Sequence, residues 1–174
     1  MSLVALTLRH PWPWAIWICG KRVENRTWPP PRQMVGKTIA LHGGKPVTKY
    51  EDYEEDEALD DLEWIIKGCN ERRLAASPAD RAALQAWLDQ RGQPDLESSC
   101  RPGIFATARL ASFFRGDPDP WAARGQWAWR LEDVFFLPVP VQCPGAQKLW
   151  TVPDWAAVQV ADQYAAAHDG EVAW

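Results

Sequence analysis

The sequence predicts an α+β, mainly β fold: a mixed β-barrel with peripheral helices and a helical insertion. Three observations lead there. The order of elements is strand, helix, strand, then a helical stretch, then several strands, which is not the βαβαβ alternation of a doubly wound sheet. The last third carries two long alternating segments, 104–115 and 127–137, in which Trp127, Trp129 and Leu131 interleave with Ala128, Arg130 and Glu132. The 174 residues, 47 % of them apolar and 24 % charged, suit one domain with one core and disfavour disorder.

The elements follow in order. Residues 3–8 are short and β-prone and read as a strand. His10-Pro11 opens a helix that runs to about Cys19, because proline is tolerated in a first turn, and Gly20 closes it. Barely two turns long, that helix depends on packing through Trp14, Trp17 and Ile18. Residues 22–28 leave in an extended or turning path, and Pro29-Pro30-Pro31 reads as a surface connection. A second strand spans 37–42, with Thr38, Ala40 and His42 on one side and Ile39 and Leu41 on the other, and Gly43-Gly44 ends it.

Residues 46–100 read as the insertion. The acidic run Glu51–Glu57 leads into a helix with Leu59, Leu62, Ile66 and Cys69 on one face. A second helix starts at Ser77-Pro78-Ala79-Asp80, where Ser77 caps, Pro78 suits the first position and Asp80 favours the positive end of the dipole. Leu84, Trp87 and Leu88 form its buried stripe and Gly92 stops it. Pro138 and Pro140 are expected to break the strand that starts at Trp127. Gly145–Trp150 is a candidate closing strand, and about 153–168 a helix with Ala156, Ala157, Val160 and Tyr164 inward.

Composition narrows function. The N-terminus has no basic region followed by an apolar one, so it does not read as a signal peptide, and no apolar run is long enough for a bilayer. The four cysteines at 19, 69, 100 and 143 form no C-x-x-C pair, so a zinc ribbon or disulfide framework is disfavoured and a cytoplasmic location with reduced thiols is expected. No metal site and no cofactor is expected. The absence of a P-loop, a G-x-G-x-x-G and a Ser-His-Asp order disfavours phosphoryl transfer and dinucleotide binding.

The net charge of −4 conceals a strong asymmetry. Residues 1–45 hold seven Lys/Arg and one acid, whereas 46–63 hold one Lys and nine acids. A positive face within an acidic chain is what a polyanion meets. Of twelve tryptophans, Trp12, Trp14, Trp17 and Trp28 flank the basic stretch; most of the twelve belong in the core, and one or two are candidates to stack on unpaired bases.

The chemistry concentrates in Leu8-Arg9-His10-Pro11-Trp12 and in Gly20-Lys21-Arg22-Val23-Glu24-Asn25-Arg26-Thr27-Trp28. In an extended path Glu24 and Arg26 share a side and can pair, as ligand groups, as a structural ion pair, or as both. Lys21 stands just after a helix C-terminus, where a cation is favoured. Together they offer donors for a phosphate or base carbonyl and an acceptor for a base amine.

On Pro11-Trp12, Lys21-x-x-Glu24-x-Arg26 and Trp28, followed by the strand 37–42 ending in Gly43-Gly44-Lys45, the chain resembles the ASCH family of PUA-like domains. The likeness covers about residues 3–45 and 103–150 and leaves out the insertion and the tail. The family glycine two places before the lysine is Cys19 here, the residue before Pro11, often Gln, is His10, and Arg22 stands where hydrolytic relatives tend to carry Thr. The resemblance implies a PUA-like pseudo-barrel whose cleft binds RNA or DNA, single-stranded or with a modified base. The candidate binding residues are Arg9, His10, Trp12, Lys21, Glu24, Arg26, Trp28, His42 and Lys45. Some relatives are amidohydrolases of acylated cytosine nucleosides and some ribonucleases; in an enzyme, Lys21 and Glu24 would be catalytic. A binding module is the leading expectation. In it the acidic stretch 46–63 lies away from the ligand or mimics phosphate. A third reading has residues 46–100, with Trp64 and Trp87, dock a protein partner.

Overall fold

The computed structural model describes residues 2–46, 52–71, 74, 77–93, 95–116 and 119–170. Their elements are β1 (Val4–Leu8), α1 (Trp12–Ile18), β2 (Val23–Arg26), a 3-10 turn (Arg32–Met34), β3 (Thr38–Gly43), α2 (Asp52–Asn70), α3 (Pro78–Arg91), β4 (Gly103–Phe114), β5 (Trp127–Val141), β6 (Leu149–Thr151) and α4 (Asp154–Ala167). The strands form one mixed sheet in the order β2-β5-β4-β3-β1-β6, with β1 and β3 parallel and the other pairs antiparallel. Register shifts along β4–β5 and between Leu41 and His42 bend the long strands, and the sheet curls into a half-barrel. Its edge strands β2 and β6 do not pair with each other, so the expected barrel stays open on that side.

Alternation along the strands buries both faces. Leu6, Leu8, Ile39, Leu41, Phe105 and Trp129 form one cluster together with Ile16 of α1. Ala5, Ala40, Ile104 and Leu137 face the other way, against Ala156 and Val160 of α4. A third cluster joins α1 to the insertion: Trp14 packs edge-on to Trp87 at 5.3 Å, with Leu62, Ile65 and Leu84 around them. α3 begins as its sequence predicts, with Ser77 and Asp80 forming a reciprocal capping box and Pro78 in the first turn.

Three expectations need correction. The buried face of α2 runs through Ala58, Leu62, Ile65 and Cys69, and Leu59 is exposed. The helix also begins inside the acidic run, whose first residue lies outside the described residues, so spacing of the apolar residues alone misplaced the face by about one residue. β5 does not break at Pro138 and Pro140 but runs on to Val141. A register shift separates the pairs Ala106–Phe136 and Ile104–Val141, so neither proline has to donate to the ladder there. The closing strand is shorter than expected, Leu149–Thr151, with Gly145 outside it.

The outer edge of β5 beyond β2 is covered by a side chain. Gln163 of α4 accepts from the Val139 N–H through Oε1 and donates to the Val139 carbonyl through Nε2, both at 2.9 Å, as a neighbouring strand would. Among the described residues no helix is long and apolar enough to cross a membrane. Gln163→Ala is expected to cost about 1–2 kcal/mol, two hydrogen bonds' worth, and to raise the tendency to associate through the bared edge. Urea denaturation and light scattering of the two proteins check this.

Candidate nucleic-acid interface

Beside the edge strand β2 lies a cavity of about 510 Å³. Its floor comes from the turn out of α1. Gly20 adopts a left-handed φ of +70°, the Lys21 N–H donates to the Ala15 carbonyl, and the chain reverses into β2. The reversal drives the Lys21 side chain inward until it is 1 % exposed. Its ammonium donates to Glu24 Oε2 at 2.9 Å and lies 5.2 Å from the centre of the Trp12 ring. Glu24 Oε1 receives Arg26 at 3.1 Å, the same-side pairing that an extended path allows. The Arg26 guanidinium continues across the open side of the sheet and donates to the Thr7 carbonyl of β1 at 2.6 Å. A side chain thus bridges strands whose backbones do not pair.

The walls come from elsewhere in the chain. Asn25 turns away from the floor and pins the segment 119–126: its Nδ2 donates to the Trp121 carbonyl at 2.7 Å and its Oδ1 accepts from the Ala123 N–H at 3.0 Å. That hold presents Trp121, Ala122, Ala123 and Gln126 to the cavity. α2 supplies Asp61 and Trp64. Arg9 reaches across to bond Glu57 and Asp61, the latter at 2.8 Å, and the Trp12 indole N–H also bonds Asp61. Burial pushes the Asp61 carboxyl above its ordinary range, against the pull of Arg9. Cys19 and Cys69, both buried free thiols, lie in one core cluster that ties the end of α1 to α2. The neighbouring Cys69 thiol and burial push Cys19 well above the ordinary thiol range.

Five of the expected residues line this cavity: Arg9, Trp12, Lys21, Glu24 and Arg26. Four lie outside its lining. His10 is buried with Nε2 3.1 Å from the Gly44 carbonyl. His42 is buried with Nε2 3.0 Å from the Cys143 carbonyl and its ring edge-on to Trp150. Trp28 is partly buried and packs edge-on against the core residue Trp129 at 4.7 Å, and Lys45 is exposed. The acidic stretch does not lie away from the cavity, since Asp61 is in its wall. Of the two insertion tryptophans, Trp87 is buried and Trp64 faces the cavity. Sequence reasoning missed Asn25, although it stands inside the motif, and missed Trp121 and Asp61, whose remote positions carry no local signal. Among the described residues no group of three or more His, Cys, Asp or Glu gathers to hold a metal.

The molecule is therefore an α+β protein with a curled six-stranded mixed sheet and, beside its edge strand β2, a cavity floored by buried Lys21 and Glu24 with the half-buried Arg26 and walled by tryptophans. The chain matches no family model and no curated protein.

The buried ion pair and the buried neutral histidines can each be tested by stability. Glu24→Leu strands the Lys21 ammonium without its counter-charge and is expected to cost about 3–5 kcal/mol. Lys21→Met costs less, because Glu24 keeps Arg26; urea midpoints of both variants test the order. For each buried histidine, a carbonyl at Nε2 requires the proton there, and Nδ1 is left buried without a partner. Burial lowers both below 6.5. As pH falls past 6.5 the unfolded chain takes up protons that the folded one refuses. Stability is full above that value and declines below it towards the folded values, with a slope of up to about two protons. Denaturation across that window checks it, and His10→Asn or His42→Asn should each remove about one proton from the slope.

Proposed function

We propose that this chain is a nucleic-acid-binding domain of the ASCH type, with a PUA-like half-barrel, that holds single-stranded RNA or DNA at the cavity floored by Lys21, Glu24 and Arg26. The observation that carries the reading is the convergence of that triad with Trp12, Trp64 and Trp121 around one opening of about 510 Å³. A cavity of this size is in the range that takes a ligand as large as a nucleoside. Donors on Lys21 and Arg26 and an acceptor on Glu24 suit the mixed edge of a base, and indole faces suit its plane. The motif that resembles the ASCH family supplies the floor of the cavity, which joins the two lines of support. The strand remains outside the cavity, with one base entering.

A second reading is a hydrolase of acylated pyrimidine nucleosides or of RNA. It rests on the 2.9 Å contact of Lys21 with Glu24, through which a carboxylate can move a proton to or from an amine. Docking of a protein through residues 46–100 is weakened by the burial of Trp87.

Glu24→Gln separates binder from enzyme. The amide keeps an acceptor oxygen but cannot shuttle a proton, so an enzyme would lose about a hundredfold or more in turnover while a folded binder keeps most of its affinity. Because the amide also removes the counter-charge of Lys21 and Arg26, urea midpoints are measured in parallel and activities are compared where both proteins are folded. Short unstructured RNA and DNA strands and acylated cytidines are offered to both proteins, with binding and hydrolysis followed separately. Strand binding without turnover is the expected result. Turnover by the unmodified protein establishes the second reading, and neither activity removes both.

A further inference from the structure

The charges around the cavity cancel. Lys21 and Arg26 share Glu24, at 2.9 and 3.1 Å, and Arg9 is held by Glu57 and Asp61. Three cations meet three carboxylates. A phosphate entering here would have to take a cation from its carboxylate, leaving that carboxylate half-desolvated and facing the newcomer's negative charge. At Trp12 a quaternary or protonated amine would find the Lys21 ammonium already against the ring, 5.2 Å from its centre, and at the rest of the floor it would meet two further cations, Arg26 and Arg9. An uncharged plane meets neither penalty.

The apolar part of the wall fits such a plane. Trp64 of α2 touches Trp12 at 6.3 Å and 61°, and Trp121 at 6.2 Å and 71°. The three indoles come from α1, the insertion and the segment before β5, and stand at steep angles around one opening. Trp64 is the shared member, and at 42 % exposed it is the least buried large apolar side chain among the described residues of α2. Its ring packs on both other indoles and its exposed part lines the cavity.

We propose that the cavity selects an uncharged planar heterocycle, a nucleobase or nucleoside, excludes phosphate, and uses Trp64 of the insertion helix as the residue that determines which base is accepted. The proposal rests on the nucleic-acid reading for the source of the base but not for its chemistry: an unpaired base in a strand and a free nucleoside present the same plane. The K-x-x-E-x-R side chains read the base edge. Any phosphate contact is made outside the cavity.

The full chain is titrated with cytidine, adenosine, guanosine and uridine, their 5′-monophosphates, inorganic phosphate and short unstructured strands, at about 50 and about 200 mM salt. Tryptophan fluorescence and calorimetry report binding. The expected result is nucleoside binding unchanged between the two salt concentrations, no competition by inorganic phosphate, and no gain from the 5′-phosphate. Trp64→Ala should weaken nucleosides about tenfold or more with unchanged circular dichroism and flatten the preference among the four. Trp64→Phe should restore most of the affinity. Competition by inorganic phosphate, or a tenfold loss of nucleoside affinity with salt, overturns the proposal. So does an unaltered base preference in Trp64→Ala. Strands that bind with a steep salt slope while no nucleoside binds sink this proposal and leave the nucleic-acid reading standing. Nucleosides that bind while strands do not sink that reading and leave this one.

Discussion

The buried Lys21–Glu24 pair, with Arg26 on its second carboxylate oxygen, is the constraint around which the rest of the molecule is arranged. An ammonium that is 1 % exposed is tolerable only with a carboxylate in contact, and Glu24 has to serve both cations at once. That demand sets the direction of three backbone segments. The turn at Gly20 has to send Lys21 inward, β2 has to present Glu24 and Arg26 on one side, and β1 has to end where its Thr7 carbonyl can receive the Arg26 guanidinium. The open side of the half-barrel lies where these meet. The sheet does not close by backbone pairing there, and the guanidinium spans the gap instead. The cavity is the space left over.

The insertion is part of this arrangement rather than an attachment to it. α2 and α3 cover Trp14 on one side, and on the other α2 offers Glu57 and Asp61 to Arg9 and a bond to the Trp12 indole. The acidic residues that dominate residues 46–63 thereby neutralise a basic residue of the N-terminal stretch. The charge asymmetry along the chain is folded into contact, which leaves a cavity of balanced charge in place of a positive groove. Asn25 acts in the same way on the far wall, since both ends of its amide are consumed in holding the segment that carries Trp121. Motif residues thus divide between those that face the opening and those that position others to face it.

Much of this was legible in order along the chain. β-prone and alternating runs located β1, β3, β4 and β5, the capping residues located the start of α3, and the spacing of Glu24 and Arg26 placed them on one side of an extended path. Those are local facts, set by the period of the backbone and by side chains that bond within a few residues of themselves. The same local reasoning failed at Leu59, where the helix began earlier than the apolar spacing implied, and at Pro138 and Pro140, where a register shift removed the need for their missing donors. Burial of His10 and His42 on backbone carbonyls, and packing of Trp28 on Trp129, likewise depended on partners distant in sequence.

By itself, then, the sequence determined the α+β order of elements, the floor of the cavity and the sign of the charges available to it. Only the tertiary structure decided that the sheet stops as a half-barrel, that Asp61, Trp64 and Trp121 join the site, and that its charges cancel. The reason is physical. Periodicity and capping act over a few residues, whereas Arg9 meets Asp61 across 52 positions and Asn25 meets Trp121 across 96. Such contacts exist only once the chain has packed, because no local rule specifies which distant carboxylate or carbonyl a buried cation or amide will find.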